Sequence, residues 1–298
     1  MKKIMIICLM TLIAVMVQAQ VKIVPQLAEG MKQVYELKGQ AEMAGENINL
    51  NSTNTYVVTG ETPDGYTIDI TSAMKVDEDN NLMGIMLNMV QVMLKDIVIK
   101  VETDKEGVVK RIINFDEVKT KASANFKDLI DELYEQFPEM AKGISKDQLF
   151  KQGVDAIKED QLLNGILLTP TSPLSLNGKT IQTLVQEPYI NSQNIKMKRV
   201  YFLTNNNKTI TATSKVDMTK DELKDFIIKQ VEESAPDQLE MVKQNIDMII
   251  NSGMMTIDGT EKVTYQMGDN GWYQSADYSL DLDVMGQKIK TTMEAVLQ

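Results

Sequence analysis

The sequence predicts an α+β fold, an antiparallel sheet with helices set between its strands. Three observations carry that reading. Apolar and polar residues alternate with period two over several stretches, as in strands with one buried face. The stretches are separated by TPDG (62–65), KEG (105–107) and GDNG (268–271), whose Gly, Asn and Asp residues supply the turn conformations hairpins need. Thr219 with Glu222, and Ser145 with Gln148, have capping-box spacing, in which a hydroxyl and a later side chain satisfy each other's free backbone donors at a helix start.

The chain opens with MKKIMIICLMTLIAVMVQAQ, a basic start, an apolar run and a small-residue end. This is the pattern of a secretory signal peptide, with cleavage expected after Ala19. The run is shorter than the roughly 20 apolar residues of a membrane-spanning helix, so residues 1–19 are read as a signal and 20–298 as a soluble, periplasmic or extracellular protein with no transmembrane segment. Cys8, the only cysteine, is lost with the signal, and no lipid-attachment pattern marks the cleavage point. Loss of Lys2 and Lys3 leaves 29 basic residues against 42 acidic ones, shifting the formal charge from −11 to −13. Such a surface repels phosphate, so nucleic acid is not an expected partner.

Tyr66, Ile68, Ile70 and Met74 alternate with Thr67, Asp69 and Thr71, predicting a strand over 66–76. LMGIMLNMVQVML (82–94) then spaces Met86, Met89 and Met93 at three and four residues, predicting a helix over 80–95. Strands are expected over 97–103 and 107–114, and a helix over 122–136 through Phe126, Leu129, Ile130 and Leu133. LLTPTSPLSLNGKTI (167–181), with two prolines and an Asn177-Gly178 turn, suits a crossover. Beyond it Ile210, Ala212, Val216 and Met218 mark a strand over 208–218. Helices follow over 220–251, broken at Pro236 and ended by Gly253. Strands over 254–266 and 271–284 come last, the second through Tyr278, Leu280, Leu282 and Val284. The order strand, helix, hairpin thus occurs twice, and residues 20–298 are read as one domain of two similar halves, about 20–165 and 166–298.

The turn Asp104-Lys-Glu-Gly107-Val108-Val109 and the later PLSLNGKTI resemble two short motifs of a family of uncharacterised secreted bacterial envelope proteins. That resemblance spans most of the chain and implies fold more than function. The order of elements is also similar to half-barrel lipid and lipoprotein carriers of the bacterial envelope, which implies a curved antiparallel sheet wrapping helices on its concave side.

Histidine is absent, and so is cysteine beyond the signal, which excludes His- and Cys-based nucleophilic sites, the common zinc sites and haem ligation by histidine. Ser72 and Lys75 have a Ser-x-x-Lys spacing, but on a predicted strand rather than a helix. Asp77, Asp79 and Asn81 alternate as in a calcium loop, yet Leu82 stands where the EF-hand needs Gly and Asn88 where it needs Glu. No catalytic residue, metal or cofactor is therefore expected, and the chain is not read as an enzyme. Trp272, opening a strand, is read as a cap on the core edge rather than an exposed contact.

Methionine is the unusual feature: 21 residues against 6 Phe and 1 Trp. Its unbranched side chain adapts to irregular shapes. The leading expectation is a carrier of a hydrophobic small molecule or lipid, with the concave sheet and Met86, Met89 and Met93 forming a deformable pocket. The alternative is a structural or partner-binding envelope protein, whose outer sheet face or edge meets another protein and whose core is filled.

Overall fold

The computed structural model describes residues 19–43, 45–76, 91–136, 138, 143, 145–234, 236–253, 255–284 and 286–298. Of the methionine stripe, Met83, Met86 and Met89 therefore lie outside the described residues, as do Asp77, Asp79, Asn81 and the signal sequence through Gln18.

The first half supplies β1 (Gln20–Lys22), β2 (Lys32–Met43), β3 (Glu46–Glu61), β4 (Gly65–Val76), β5 (Ile99–Asp104) and β6 (Val109–Ile112). Helices α1 (Phe115–Gln136), α2 (Lys146–Ala156) and α3 (Glu159–Leu162) follow, and a π-helical turn, Leu163–Leu167, leads into the crossover. Next come β7 (Thr180–Gln182), β8 (Gln186–Ile190), β9 (Lys196–Thr204), β10 (Thr209–Val216), the helices α4 (Lys220–Ser234) and α5 (Leu239–Asn251), then β11 (Ile257–Met267), β12 (Tyr273–Val284) and β13 (Gln287–Leu297).

Eleven strands form one open antiparallel sheet in the order β6-β5-β4-β3-β2-β13-β12-β11-β10-β9-β8, while β1 pairs with β7 in a separate ribbon. At the centre β2 meets β13, with Leu37 opposite Ala295, so the two halves join through their first and last long strands. The α+β class follows as the sequence predicts, with small shifts of boundary. The helix expected from 122 starts at Phe115, where Asp116 and Glu117 place negative charge in the first turn against the helix dipole.

Both predicted helix starts carry their N-cap, and the one at Thr219 closes as a full capping box. Glu222 N donates to Thr219 Oγ1 at 3.3 Å while Thr219 N donates to Glu222 Oε2 at 2.8 Å. Gln148 N donates to Ser145 Oγ at 3.2 Å. Pro236 sits in a 3₁₀ turn between α4 and α5, and Gly253 ends α5 with a φ of +75°.

One face of the sheet is filled by the crossover. Thr171, Ser172, Leu174, Leu176 and Asn177 are all buried there, against a layer of sheet aromatics. Tyr265 Oη donates to the Pro170 carbonyl at 2.7 Å, and the Tyr273 hydroxyl donates to the Thr171 carbonyl. Tyr35 Oη donates to the Tyr273 carbonyl at 2.9 Å, and Trp272 Nε1 to the Gln26 carbonyl at 3.2 Å. These rings bury large apolar area while each polar tip finds a backbone carbonyl, which is what makes a tyrosine-rich core tolerable. Burial pushes Tyr56 up to about 12, and raises Tyr35, Tyr265 and Tyr273 as well, so these phenols stay neutral.

The two glycine turns named in the sequence meet in space. Asp104 Oδ1 accepts from Glu106 N at 2.9 Å and from Val108 N at 3.0 Å, shaping a turn in which Gly107 has a φ of +79°. Asn177 Nδ2 donates to the Gly107 carbonyl at 3.0 Å. A Cβ on Gly178 would lie 2.2 Å from Val108 Cγ2, so the crossover turn seats directly on the β5–β6 hairpin.

Candidate functional site

An apolar cavity of about 370 Å³ lies among the helices of the first half. Val118, Ala122 and Phe126 of α1, Met93 and Leu94 at the end of the methionine stripe, and Leu162 of α3 form its walls. The sheet strands contribute none of its described lining residues, so this cavity is interhelical, and the crossover covers the sheet face at Leu174 and Leu176.

Each wall is held by an identifiable contact. Asn125 Nδ2 donates to the carbonyls of Met93 at 3.2 Å and Lys95 at 3.1 Å. These belong to the last turn of the stripe, where helical carbonyls lack intrahelical partners and Asp96 turns the chain with a φ of +57°. α1 and α2 approach closely at Gly153, where a Cβ would sit 1.9 Å from the Phe126 ring, and Phe126 stacks on Phe150 at 6.4 Å between centroids. At α3, Glu159 Oε1 accepts from the Ile112 amide at 2.7 Å, tying the cavity floor to the sheet edge. Lys158 and Gln161 are the polar side chains on the lining, and no carboxylate is among its described residues.

Of the candidates named from sequence, Met93 is half-buried and lines this cavity; Met86 and Met89 fall outside the described residues. Reading the stripe alone missed Val118, Ala122, Ile157, Leu162 and Ile166. Gly153, a glycine inside a predicted helix, was the available signal, since it marks close approach of another element. Ser72 and Lys75 sit on β4, so their spacing is a strand spacing. Trp272 is 2% exposed and belongs to the core.

A second feature is electrostatic. Arg199, Ser214 and Glu261 stand in one row across β9, β10 and β11, in direct register. Arg199 Nε donates to Ser214 Oγ at 2.9 Å, its guanidinium pairs with Glu261, and Tyr189 stacks 3.2 Å from Arg199 Cζ. Arg199 and Glu261 are 4% and 1% exposed, so each depends on the other for charge compensation. Burial raises Glu261 above the usual carboxylate range, and Arg199 pulls it back. No group of three potential metal ligands occurs among the described residues. No described helix is long and apolar enough to cross a membrane.

No family model matches the chain, and no curated protein matches it significantly. Among solved structures, a chain titled "Lipid-protein interactions in lipovitellin" matches with a TM-score of 0.44 and 10% identity. The alignment covers 92% of this chain and 25% of that one, so the chain spans about a quarter of the length of that structure.

Proposed function

We propose that this protein is a secreted carrier that takes a hydrophobic ligand into the cavity between α1, α2, α3 and the end of the methionine stripe. The observation that carries the reading is the cavity itself: about 370 Å³ of almost wholly apolar space between helices. Its volume lies within the roughly 300–1,000 Å³ of small-molecule sites. Met93 gives one wall the adaptability that a variable apolar ligand needs. Lys158, the only charged side chain on the described lining, favours an amphiphile with an anionic head. The described lining holds no activated nucleophile or tuned base, and the reading is of binding rather than catalysis.

Binding of a fluorescent medium-chain fatty acid tests this. Wild type should bind saturably, and Ala122→Phe, which fills the cavity from a fully buried position, should weaken binding at least tenfold while the thermal midpoint stays within a few degrees. A wild type that binds no such probe, or an Ala122→Phe variant that binds it undiminished, would remove the carrier reading. Secretion is tested separately by intact mass after expression in a secreting host, where the mature chain should begin at Gln20 without an acyl group.

A further inference from the structure

The two ends of the open sheet, β6 and β8, border one cavity of about 480 Å³, closed from below by the crossover. Its lining includes Val109, Leu174, Asn177, Lys179, Tyr189 and Asn191. This seam is distinct from the interhelical cavity: the two share no described lining residue.

Its walls are fixed by contacts already described. The Asn177 bond to the Gly107 carbonyl and the seating of Gly178 on Val108 lock the crossover onto the β5–β6 hairpin. On the other side Tyr189 lies flat on Arg199, whose charge is met by Glu261.

Two features of the lining point to a ligand. Asn191 is 3% exposed; its Oδ1 accepts from Gln193 N at 3.0 Å and Ile195 N at 2.9 Å, but its Nδ2 has no hydrogen-bond partner. A buried amide nitrogen left without an acceptor is costly, and a ligand or an ordered water would satisfy it. Lys179, exposed at the rim, is the only charged residue on the described lining, although the chain carries 42 acidic residues. Arg199 disfavours its charge and Glu187 favours it, and an anion in the cavity would add to the second.

We propose that this seam is a second binding site, for a small organic carboxylate whose anionic end pairs with Lys179, whose acceptor oxygen meets Asn191 Nδ2 and whose apolar body packs on Val109, Leu174 and Tyr189. The two turns whose motifs are legible in the sequence are then the scaffold of this site, which gives their mutual contact a purpose beyond holding the crossover.

Amide NMR titration of the full mature chain with hexanoate and benzoate, and with hexanamide and benzamide as neutral counterparts, is the test. Saturable shifts are expected at Asn177, Lys179 and Asn191–Ile195 for the carboxylates, with the amides at least tenfold weaker. Lys179→Met should weaken carboxylate binding at least tenfold, and Lys179→Arg should retain it. Asn191→Asp keeps the acceptor that holds the turn but removes the donor, and should also weaken binding. Ala122→Phe should leave the seam shifts unchanged. Shifts confined to α1 and α2, equal binding of carboxylates and amides, equal binding of inorganic phosphate, or a Lys179→Met variant that folds and binds as wild type would each overturn the proposal.

Discussion

The two helical excursions are packed in opposite ways. The first leaves the sheet after β6 and returns through the crossover; the second leaves after β10 and rejoins at β11, its hydrogen-bonded neighbour. In the second excursion α4 and α5 close on each other through Leu223, Ile227, Ile246 and Ile250, and Lys224 pairs with Asp247 at 2.7 Å across the rim. In the first, α1, α2 and α3 enclose unfilled space at Met93. Methionine content does not distinguish them. Met241 and Met248 of α5 are 59% and 65% exposed, so methionine there covers nothing. What differs is the third wall: α4 and α5 close on one seam, whereas α1, α2 and α3 leave a gap beside Phe126 and Gly153 that the described side chains do not fill.

If the second half is the rigid one, its buried charge row should dominate the stability of the chain. Glu261→Gln leaves Arg199 buried without its counter-charge and should cost about 3–5 kcal/mol in denaturant unfolding. Replacing both, as Arg199→Met with Glu261→Leu, should recover most of that loss. A cost below about 1 kcal/mol for the single variant would show that water reaches the pair.

The contrast between the excursions is sharpened by a pair of truncations. Ile246→Ala, in the closed seam, should cost about 2–5 kcal/mol through lost burial and a new void. Met93→Ala borders space that already exists, and should cost under about 1.5 kcal/mol while changing the binding of an apolar dye. Equal losses at the two positions, with no dye bound, would make the first excursion an ordinary core.

Smaller effects are expected at the α4 start. Thr219→Ala should cost about 0.5–2 kcal/mol in thermal unfolding, the usual range for a lost N-cap hydroxyl. The same cap should respond to acid. The hydrogen bond from Lys196, and then that from the Thr219 amide, hold the Glu222 carboxyl at about 2 against an ordinary 4.5. A depressed carboxylate stabilises fully above its unfolded value, and that contribution is lost as pH falls through the folded one. Amide-exchange protection at Thr219–Leu223 should therefore decline between about pH 4.5 and 2, and Glu222→Gln should flatten the decline.

Local chemistry is where the sequence was most legible. Both helix starts with capping spacing, the stop at Pro236, the turns at Gly107 and Gly271, and the strands with clean alternation could be read because each depends on residues within a few positions of one another. Strands β2 and β3, 12 and 16 residues long, were not picked out. Their ENINLNSTNT stretch has the composition of a loop, and its Asn, Ser and Thr become strand residues only because neighbours on both sides satisfy the backbone. Of the candidate site, Met93 was legible through helical periodicity, while Ala122 and Leu162 were not, since they look like ordinary core positions until another helix fails to cover them.

By itself the sequence determined the class of the fold, the chemistry it lacks and the positions of its turns, because these follow from residue type and short spacing. Only the tertiary structure decided that the crossover, rather than a ligand, fills the sheet face, that Arg199 meets Glu261 from 62 residues away, and where space remains. Cavities are set by what distant elements leave uncovered, and that remainder is a property of packing rather than of any one stretch of chain.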